Sequence, residues 1–361
     1  MTQRTNLLDL DRSSMEGFFT SIGEKTYRAS QITKWIHHSG ISEFEKMTNL
    51  SLGLRDELAN TACINPPEFI SEQKSADGTC KWLVKVAEDQ CVETVFIPEK
   101  DRGTLCISSQ IGCPLDCSFC STARQGFNRN LSVAEIIGQL WLANHALKHF
   151  ETGQRIISNV VMMGMGEPLL NFDNVVHAMN IMTDDLAYGL GRKRVTLSTS
   201  GIIPGIIKLG KVSKVSLAVS LHAADNSIRN ELVPINRKYP VEDLIQACRE
   251  YLHDQPGEII TFEYVMLANI NDSQAQAKAL VDLIKDIPAK VNLIPFNPFQ
   301  GAEYRCSDTA TINRFRDILI NAGIITITRK TRGDDIDAAC GQLVGKVIPR
   351  SKKHMQKVMV K

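Results

Sequence analysis

The sequence predicts an α/β protein, built as a partial or full barrel of about six βα units that follows a small helical domain and a short β-meander. Three observations support this fold class. Apolar residues recur at helical spacing in residues 14–60, the period changes to that of strands in residues 69–97, and strand, loop and helix alternate from residue 104 onwards. Strands that alternate with helices indicate parallel βα units, and about six of them favour a barrel over a sandwich.

The N-terminal helical region is predicted from apolar side chains such as Ile32 and Ile36, with glycines between its segments. The dipeptide Pro66-Pro67 closes this region, because proline does not continue a helix. We therefore assign residues 1–66 to a separate helical domain.

Residues 67–98 are predicted to form the β-meander that links this domain to the barrel. Its three strands are expected at residues 69–75, 79–86 and 91–97. Asp77-Gly78 lies between the first two strands and favours a tight hairpin turn.

The barrel core is assigned to residues 99–343. Its clearest helix is predicted over residues 132–150, where Ser132 and Glu135 form the S-x-x-E pattern of a capping box. The predicted strands are residues 105–108, 157–163, 194–198, 215–220, 259–265 and 291–295, followed by a short strand at 324–328.

Polar and glycine-rich sequence gathers in the loops that follow these strands. Reactive groups of a βα barrel lie on such loops, at the carboxyl ends of the strands. The sequence therefore predicts one large site at one rim of the barrel. Its candidate residues are Cys113, Cys117, Cys120, residues 164–168, 198–201 and 220–222, and Asn297.

The composition excludes an integral membrane protein, because no apolar run approaches the ~18 residues that a membrane span needs. Residues 1–30 lack the apolar core of a signal peptide, so we expect a cytoplasmic protein whose ten cysteines mostly stay reduced. Ten cysteines in that compartment indicate metal or redox chemistry before a disulfide framework.

The charge is unevenly distributed along the chain. The 361 residues have a net charge of only +1, yet residues 324–361 carry nine Lys and Arg against three Asp and Glu. We assign residues 344–361 to a basic tail, which is either a contact for a polyanion or a solvated end that aids solubility. Its basic residues are Lys346, Arg350, Lys352, Lys353, Lys357 and Lys361.

The strongest chemical signal is a C-x-x-x-C-x-x-C motif formed by Cys113, Cys117 and Cys120. Three thiolates at this spacing reach different irons of one 4Fe-4S cluster, which leaves the fourth iron without a protein ligand. Zinc is the competing interpretation, although structural zinc takes four ligands and no fourth cysteine lies nearby. Three unrelated buried thiols are the remaining alternative.

The motif resembles the signature of the radical SAM superfamily, in which the open iron binds S-adenosyl-L-methionine (SAM) and cleaves it to a 5′-deoxyadenosyl radical. This resemblance implies a partial (βα)6 radical SAM barrel, with Glu167 at the ammonium group of SAM and Asn297 at an adenine or ribose edge. The residues implied as SAM contacts are Gly166, Glu167, Ser198, Ser220, Leu221, His222 and Asn297.

Longer runs resemble the RlmN family of dual-specificity RNA methyltransferases, which methylate carbon 2 of adenosine. The match extends over nearly the whole chain, including the helical N-terminus. The runs that carry it are VETV at 92–95, CSFCST at 117–122, QGFNRNL at 125–131, VMMGMGEPL at 161–169 and GDDIDAACGQL at 333–343.

This second resemblance implies methylation at position 2503 of 23S rRNA and position 37 of tRNA, with two SAM molecules per turnover. Cys340 would carry the methyl group, Glu93 would remove the proton from carbon 2, and Cys106 would free the product by forming a Cys106–Cys340 disulfide. Judged from the residues alone, Glu93 is instead a solvated strand residue and the two cysteines are buried, inert thiols.

The implied partners are 23S rRNA and tRNA, an electron donor for the cluster and a reductant for the disulfide. The helical domain, the basic tail, Arg329, Lys330 and Arg332 would contact the RNA. We expect a monomer with no membrane partner. Two alternatives stay open, namely methylation at carbon 8 of the same rRNA adenine and a non-catalytic iron–sulfur or zinc protein that binds RNA.

Overall fold

The structure, a computed structural model, describes residues 4–348 and contains the predicted order of helical region, meander and partial barrel. The strands are β1 (Thr5–Asn6), β2 (Ala62–Cys63), β3 (Glu68–Lys74), β4 (Cys80–Ala87), β5 (Gln90–Glu99), β6 (Arg102–Cys106), β7 (Gln110–Gly112), β8 (Phe127–Asn130), β9 (Asn159–Met162), β10 (Val195–Thr199), β11 (Ser216–Ser220), β12 (Ile260–Met266), β13 (Ala289–Pro295) and β14 (Ile325–Thr328).

The α-helices lie mostly between these strands. They are α1 (Arg12–Ser21), α2 (Tyr27–His37), α3 (Leu52–Thr61), α4 (Ser121–Arg124), α5 (Val133–Ala146), α6 (His149–Thr152), α7 (Phe172–Thr183), α8 (Ile203–Val212), α9 (Asn226–Leu232), α10 (Val241–His253), α11 (Gln274–Ile284) and α12 (Thr309–Asn321). Within residues 4–348, none of the helices has the length and apolarity to cross a membrane.

One ten-stranded sheet forms the barrel, in the order β14-β13-β12-β11-β10-β9-β6-β5-β4-β3. Strands β6 and β9 to β14 are parallel, and the connections between them contain helices. Strands β3, β4 and β5 continue the sheet in antiparallel pairing. The predicted α/β class and partial barrel are therefore confirmed, and the meander predicted as a linker extends the barrel sheet.

Helix α5 shows both the success and the limit of the sequence prediction. Its N-terminus carries the predicted capping box, because Ser132 Oγ accepts the Glu135 N–H and Glu135 Oε2 accepts the Ser132 N–H. The helix ends at Ala146 rather than at residue 150. Lys148 has φ +56°, a left-handed conformation that separates α5 from α6.

The helical N-terminal unit packs against the outside of the barrel at α5. Trp141 Nε1 donates to the Ile36 carbonyl at 3.0 Å, and Asp9 Oδ1 accepts the Ala134 N–H at 2.7 Å. Gly138 lies against the ring of Pro67, where any side chain would collide. These contacts join the unit to α5, which follows the cysteine loop, α4 and β8 in the chain.

Candidate active site

The cysteine motif lies on the loop between β7 and α4, and a short ribbon of β7 and β8 holds this loop. The sequence prediction missed the ribbon, in which Ile111 pairs with Arg129. The Cys113 N–H donates to the Gly126 carbonyl at 2.9 Å. Gly112 has φ +73°, and a side chain there would collide with the same carbonyl. The start of the cysteine loop therefore has a fixed backbone.

The three thiols of this loop line a cavity at the carboxyl ends of the barrel strands, which we call the first cavity. Burial and the neighbouring Cys117 raise the pKa of Cys113 well above its usual value, and burial also raises the pKa of Cys120. Three thiolates in such a place need a cationic partner, and an iron–sulfur cluster meets that need. Within residues 4–348, no three His, Cys, Asp or Glu side chains converge on one point as the ligands of a single metal ion do.

The loop after β9 brings a backbone turn and a carboxylate to the same cavity. Gly166 has φ +101° and lies so close to Gln110 that a Cβ would overlap that side chain. Glu167 Oε2 accepts the Ser200 N–H at 2.7 Å, and its Oε1 accepts the Leu169 N–H at 3.1 Å. Burial raises the pKa of Glu167, whereas these backbone hydrogen bonds oppose the shift.

His222 is held in one orientation and one protonation state. It has φ +61°, its carbonyl accepts a hydrogen bond from Asn271 Nδ2, and its Nδ1 accepts the Val265 N–H at 3.1 Å. Burial lowers the pKa of His222 to about 3, and nearby Arg229 adds to this effect. The ring is therefore neutral with its proton on Nε2, which makes that atom a hydrogen-bond donor.

The structure brings six of the seven predicted SAM contacts to the first cavity. Leu221 is the exception, because its side chain is buried in the core and it is not part of the cavity wall. Its N–H donates to the Glu263 carbonyl, and its own carbonyl accepts from Arg229 Nε. The residues that do line the cavity are Gly166, Glu167, Ser198, Ser220, His222 and Asn297.

Arg229, on α9, is a residue that the sequence prediction missed. It is fully buried, and its guanidinium donates to the carbonyls of Ser200, Ser220 and Leu221. Burial lowers its pKa to about 10, so it stays charged at neutral pH. Arg229 thereby ties together the loops after β10 and β11, both of which contribute to the first cavity.

Cys340 lies where the first cavity meets a second one, and its side chain lines both. The thiol is exposed, so the interpretation of Cys340 as a buried thiol is wrong. Cys106, on β6, is buried and lines the second cavity. Burial, with a smaller effect of Cys340, raises the pKa of Cys106 to about 12.

An ion pair between the half-buried Arg329 and the buried Glu263, unrecognised in the sequence, lies beside Cys340. Arg329 Nη1 is 3.8 Å from Cys340 Sγ and 3.7 Å from Glu263 Oε2. Glu263 is buried on β12, and within residues 4–348 its Oε2 has no hydrogen-bond partner. The signal for Glu263 was present in the sequence, because it is the one charged residue in the otherwise uncharged segment 260–266.

Glu93 is buried on β5 rather than solvated, so that interpretation from the residues alone is wrong. Its Oε1 lies 3.2 Å from Lys81 Nζ, and its Oε2 accepts the Val344 N–H at 2.8 Å. Lys81 Nζ also donates to the Asp337 carbonyl at 3.3 Å. This pair therefore holds the Cys340 segment, by which we mean residues 333–348. Glu93 is not part of the wall of either cavity.

The parallel barrel and the cysteine loop at its rim define a radical SAM enzyme. The sequence profile of the radical SAM superfamily matches residues 107–280. A crystal structure of a radical SAM methyltransferase from Sphaerobacter thermophilus is similar with a TM-score of 0.87 and 40% identity, over 94% of this chain and 99% of that one.

The particular family follows from the whole chain. The profile described as the ribosomal RNA large subunit methyltransferase N-terminal domain matches residues 5–64. Two proteins of Pseudomonas putida, strains F1 and GB-1, are each named dual-specificity RNA methyltransferase RlmN. Each is 54% identical over 365 residues, which cover 100% of this chain and 95% of the relative. The chain therefore belongs to the RlmN family of radical SAM RNA methyltransferases.

Family membership has two consequences for the site. It implies a 4Fe-4S cluster and SAM as the cofactors, which favours the iron–sulfur interpretation of the cysteine motif over zinc. It also identifies the protein as an enzyme, which argues against a non-catalytic RNA-binding module.

Proposed function

We propose that this enzyme adds a methyl group to carbon 2 of adenosine, at position 2503 of 23S rRNA and at position 37 of tRNA. The observation that carries this proposal is the position of Cys340, whose side chain lines both cavities. A sulfur in that position faces the cofactor site on one side and a base in the second cavity on the other. The dual specificity named for the Pseudomonas putida relatives supports two kinds of RNA substrate.

The cofactors are assigned to the first cavity. Cys113, Cys117 and Cys120 hold one 4Fe-4S cluster per chain and leave one iron for SAM. With SAM bound, the cluster supplies a 5′-deoxyadenosyl radical, and a further SAM molecule supplies the methyl group, so that two SAM molecules are used per turnover. The residues assigned to bind SAM are Gly166, Glu167, Ser198, Ser220, the backbone of Leu221, His222 and Asn297.

Cys340 carries the methyl group to the base. Its sulfur accepts the methyl and, after one hydrogen has been removed from that methyl, the remaining methylene bonds carbon 2 of adenine. A radical route is needed because carbon 2 is electron-poor and carries no acidic proton, so direct displacement from SAM does not methylate it. The addition leaves one unpaired electron on the adduct. Glu93 then takes the proton from carbon 2, and the electron would return to the cluster that supplied it, so that the aromatic ring is restored. For this step Glu93 has to exchange its hydrogen bond with Val344 for contact with the base.

Cys106 completes the reaction. Its thiolate attacks the sulfur of Cys340, the bond from that sulfur to the transferred carbon breaks, and the carbon takes up a proton to become the methyl group. The cysteines are left as a Cys106–Cys340 disulfide, which a thiol reductant reduces in each turnover, while a separate donor supplies the electron for the cluster. The raised pKa of Cys106 makes it a poor nucleophile, which suits a thiol that acts last.

The RNA approaches from the second cavity. Lys330 and Arg332 line this cavity and are assigned to phosphate contacts, together with the helical domain at residues 1–66. Residues 349–361 of the predicted basic tail lie outside the described residues. The target adenine has to be unstacked for carbon 2 to reach Cys340, as in other enzymes that act on a base.

The proposal is tested by the nucleosides that the enzyme makes. Purified enzyme with a reconstituted cluster is incubated with SAM, a reductant and either a 23S rRNA fragment or tRNA, and the digested RNA is analysed by mass spectrometry. We expect 2-methyladenosine from both RNAs with the wild-type enzyme and none with Cys340→Ala. Formation of 8-methyladenosine, the open alternative, would contradict the assignment to carbon 2. RNA from a deletion strain should correspondingly lack 2-methyladenosine.

A further inference from the structure

The two cavities meet at a small group of residues around the sulfur of Cys340. The side chains that line both are Met163, Ile294, Asn297, Arg329 and Cys340. The first cavity contains the cysteine loop and the residues assigned to SAM. A base that reaches Cys340 therefore comes from the second cavity and has Arg329 as its nearest charged neighbour.

Arg329 faces this junction instead of the outer surface. Its backbone N–H donates to the Leu293 carbonyl at 2.8 Å, which fixes the start of the side chain beside β13. Its Nη1 lies 3.8 Å from Cys340 Sγ, 3.9 Å from Met163 Sδ and 3.7 Å from Glu263 Oε2. The guanidinium has five N–H donors, and these contacts all involve Nη1. It therefore keeps donors for a ligand placed against the sulfur.

Resting on the function proposed above, we propose that Arg329 donates a hydrogen bond to a ring nitrogen beside carbon 2 of the target adenine, N1 or N3. Both nitrogens are bonded to carbon 2 and accept hydrogen bonds. When the methylene on Cys340 bonds carbon 2, each nitrogen is three bonds from the sulfur, within reach of a guanidinium already in contact with that sulfur.

The hydrogen bond has a chemical consequence for the addition step. A cationic donor on N1 or N3 draws electron density out of the ring and makes carbon 2 a better acceptor for a carbon radical. A donor directed at N1 also selects against guanine, which carries an N–H at that position, whereas N3 of guanine still accepts a hydrogen bond. A half-buried guanidinium that faces another donor at N1 is left without a partner, which is a basis for discrimination.

Glu263 acts in this arrangement as a positioning residue for Arg329. Asn292 Nδ2 donates to its Oε1 at 2.8 Å, and register places Glu263 opposite Asn292 on β13. The other oxygen, Oε2, faces Arg329 without a closer partner among the described residues. Glu263 therefore limits the directions that the guanidinium can take, without itself touching the reacting atoms.

The test combines variants of Arg329 with substrates that lack one ring nitrogen. Short RNA substrates carry adenosine, 1-deazaadenosine, 3-deazaadenosine or 7-deazaadenosine at the target position, and the rate of methyl transfer from a pre-methylated Cys340 is measured in a single turnover. We expect wild-type enzyme to lose about 10- to 100-fold in rate with either the 1-deaza or the 3-deaza substrate, as for loss of one hydrogen bond to a charged group. With adenosine, Arg329→Met should transfer the methyl group more slowly than wild type by a similar factor. With the deaza analogue that slows the wild-type enzyme, the rate of Arg329→Met should not fall further.

Lys330→Met is the matched control, because it removes an exposed positive charge one residue away. The factor by which Lys330→Met slows the reaction should be the same for adenosine and for every analogue. Glu263→Gln should lower the rate with adenosine, and the deaza analogue that slows the wild-type enzyme should slow this variant by a smaller factor. The proposal would be overturned if the 1-deaza and 3-deaza substrates both slowed Arg329→Met by the same factor as they slow the wild-type enzyme. Full-rate transfer to both analogues by the wild-type enzyme would also overturn it, an outcome that needs no variant to fold.

The same experiment separates failure of this inference from failure of the proposed function. The 7-deaza substrate lacks a nitrogen beside carbon 8 and keeps both nitrogens beside carbon 2, so no coupling to Arg329 is expected. Coupling confined to that substrate, with 8-methyladenosine as the product, would contradict the assignment to carbon 2. Normal formation of 2-methyladenosine without any coupling would overturn only the role of Arg329.

Discussion

Glu93 occupies a position where a structural role and a catalytic role predict different results. Its side chain and that of Lys81 are each 10% exposed, with their charged atoms 3.2 Å apart. In the pairing of β4 with β5, Leu83 lies opposite Glu93 and Lys81 lies opposite Val95. Lys81 and Glu93 are therefore diagonal neighbours on the two strands. Glu93→Gln keeps an oxygen for the Val344 N–H and removes only the charge.

The cost of this substitution follows from the unpaired lysine. Removing one partner of a buried pair leaves the other charge uncompensated, and we expect Glu93→Gln to lower the free energy of unfolding by about 3 kcal/mol. In the double variant Lys81→Met with Glu93→Gln no charge is stranded, so we expect most of that free energy to be regained. Turnover is expected to fall by at least about 100-fold in both variants, because neither has a base for the proton on carbon 2.

The assay measures the two quantities separately. Urea denaturation followed by circular dichroism gives the free energy of unfolding, and a single-turnover methylation of RNA gives the rate. Methylation of Cys340 by SAM needs no base at this position and should remain in both variants. If the double variant regains turnover together with stability, Glu93 only balances the charge of Lys81, and the base is another group.

Three further predictions concern the cluster, pH and the basic tail. Wild-type protein purified without oxygen should carry about four irons and absorb near 400 nm, and replacing Cys113, Cys117 or Cys120 with Ala should abolish cluster and activity together; a variant that kept both would contradict the ligand assignment. Burial lowers the pKa of His37 and of His222 to about 3, below the ordinary value of 6.5, so at these two sites the unfolded chain binds up to two more protons as the pH falls from 6.5. These two histidines should therefore lower the free energy of unfolding on acidification by up to about 2.7 kcal/mol per pH unit, as measured by urea midpoints at pH 7, 6 and 5, and His37→Leu should remove about half of that contribution. Removing residues 350–361 should reduce the slope of log RNA affinity against log salt concentration. The reduction should be up to about 0.7–0.9 for each ion pair with a phosphate that is lost. An unchanged slope would mean that the tail is a solvated end.

The elements that the sequence predicted best are those with a local cause. The strands of the barrel follow from apolar runs, and the start of α5 follows from the side chains of Ser132 and Glu135. The loops that line the first cavity were found because strand ends in a parallel barrel face one rim. Each of these inferences uses residues that are neighbours in sequence.

The features that the sequence did not predict depend on contacts between distant segments. Arg229 binds carbonyls on two other loops, and Glu263 meets Arg329 across 66 positions, so neither pairing has a local signal. The burial of Glu93 was missed for the same reason, because Lys81 and the Cys340 segment cover it in three dimensions only. The burial of these charged side chains depends on partners that are distant in the sequence.

The most direct test of the account is the covalent state of Cys340 when Cys106 is absent. Cys106→Ala should accept the methyl group and bond the adenine but fail to release it, because no thiol attacks the sulfur of Cys340. We therefore expect this variant to be purified with RNA attached through Cys340, and the attachment should resist denaturant. After ribonuclease digestion, the mass spectrum of the Cys340 peptide should show one modified nucleotide. Cys340→Ala should carry none. RNA attached to Cys340→Ala, or to neither variant, would contradict the proposal that Cys340 carries the methyl group and Cys106 releases the product.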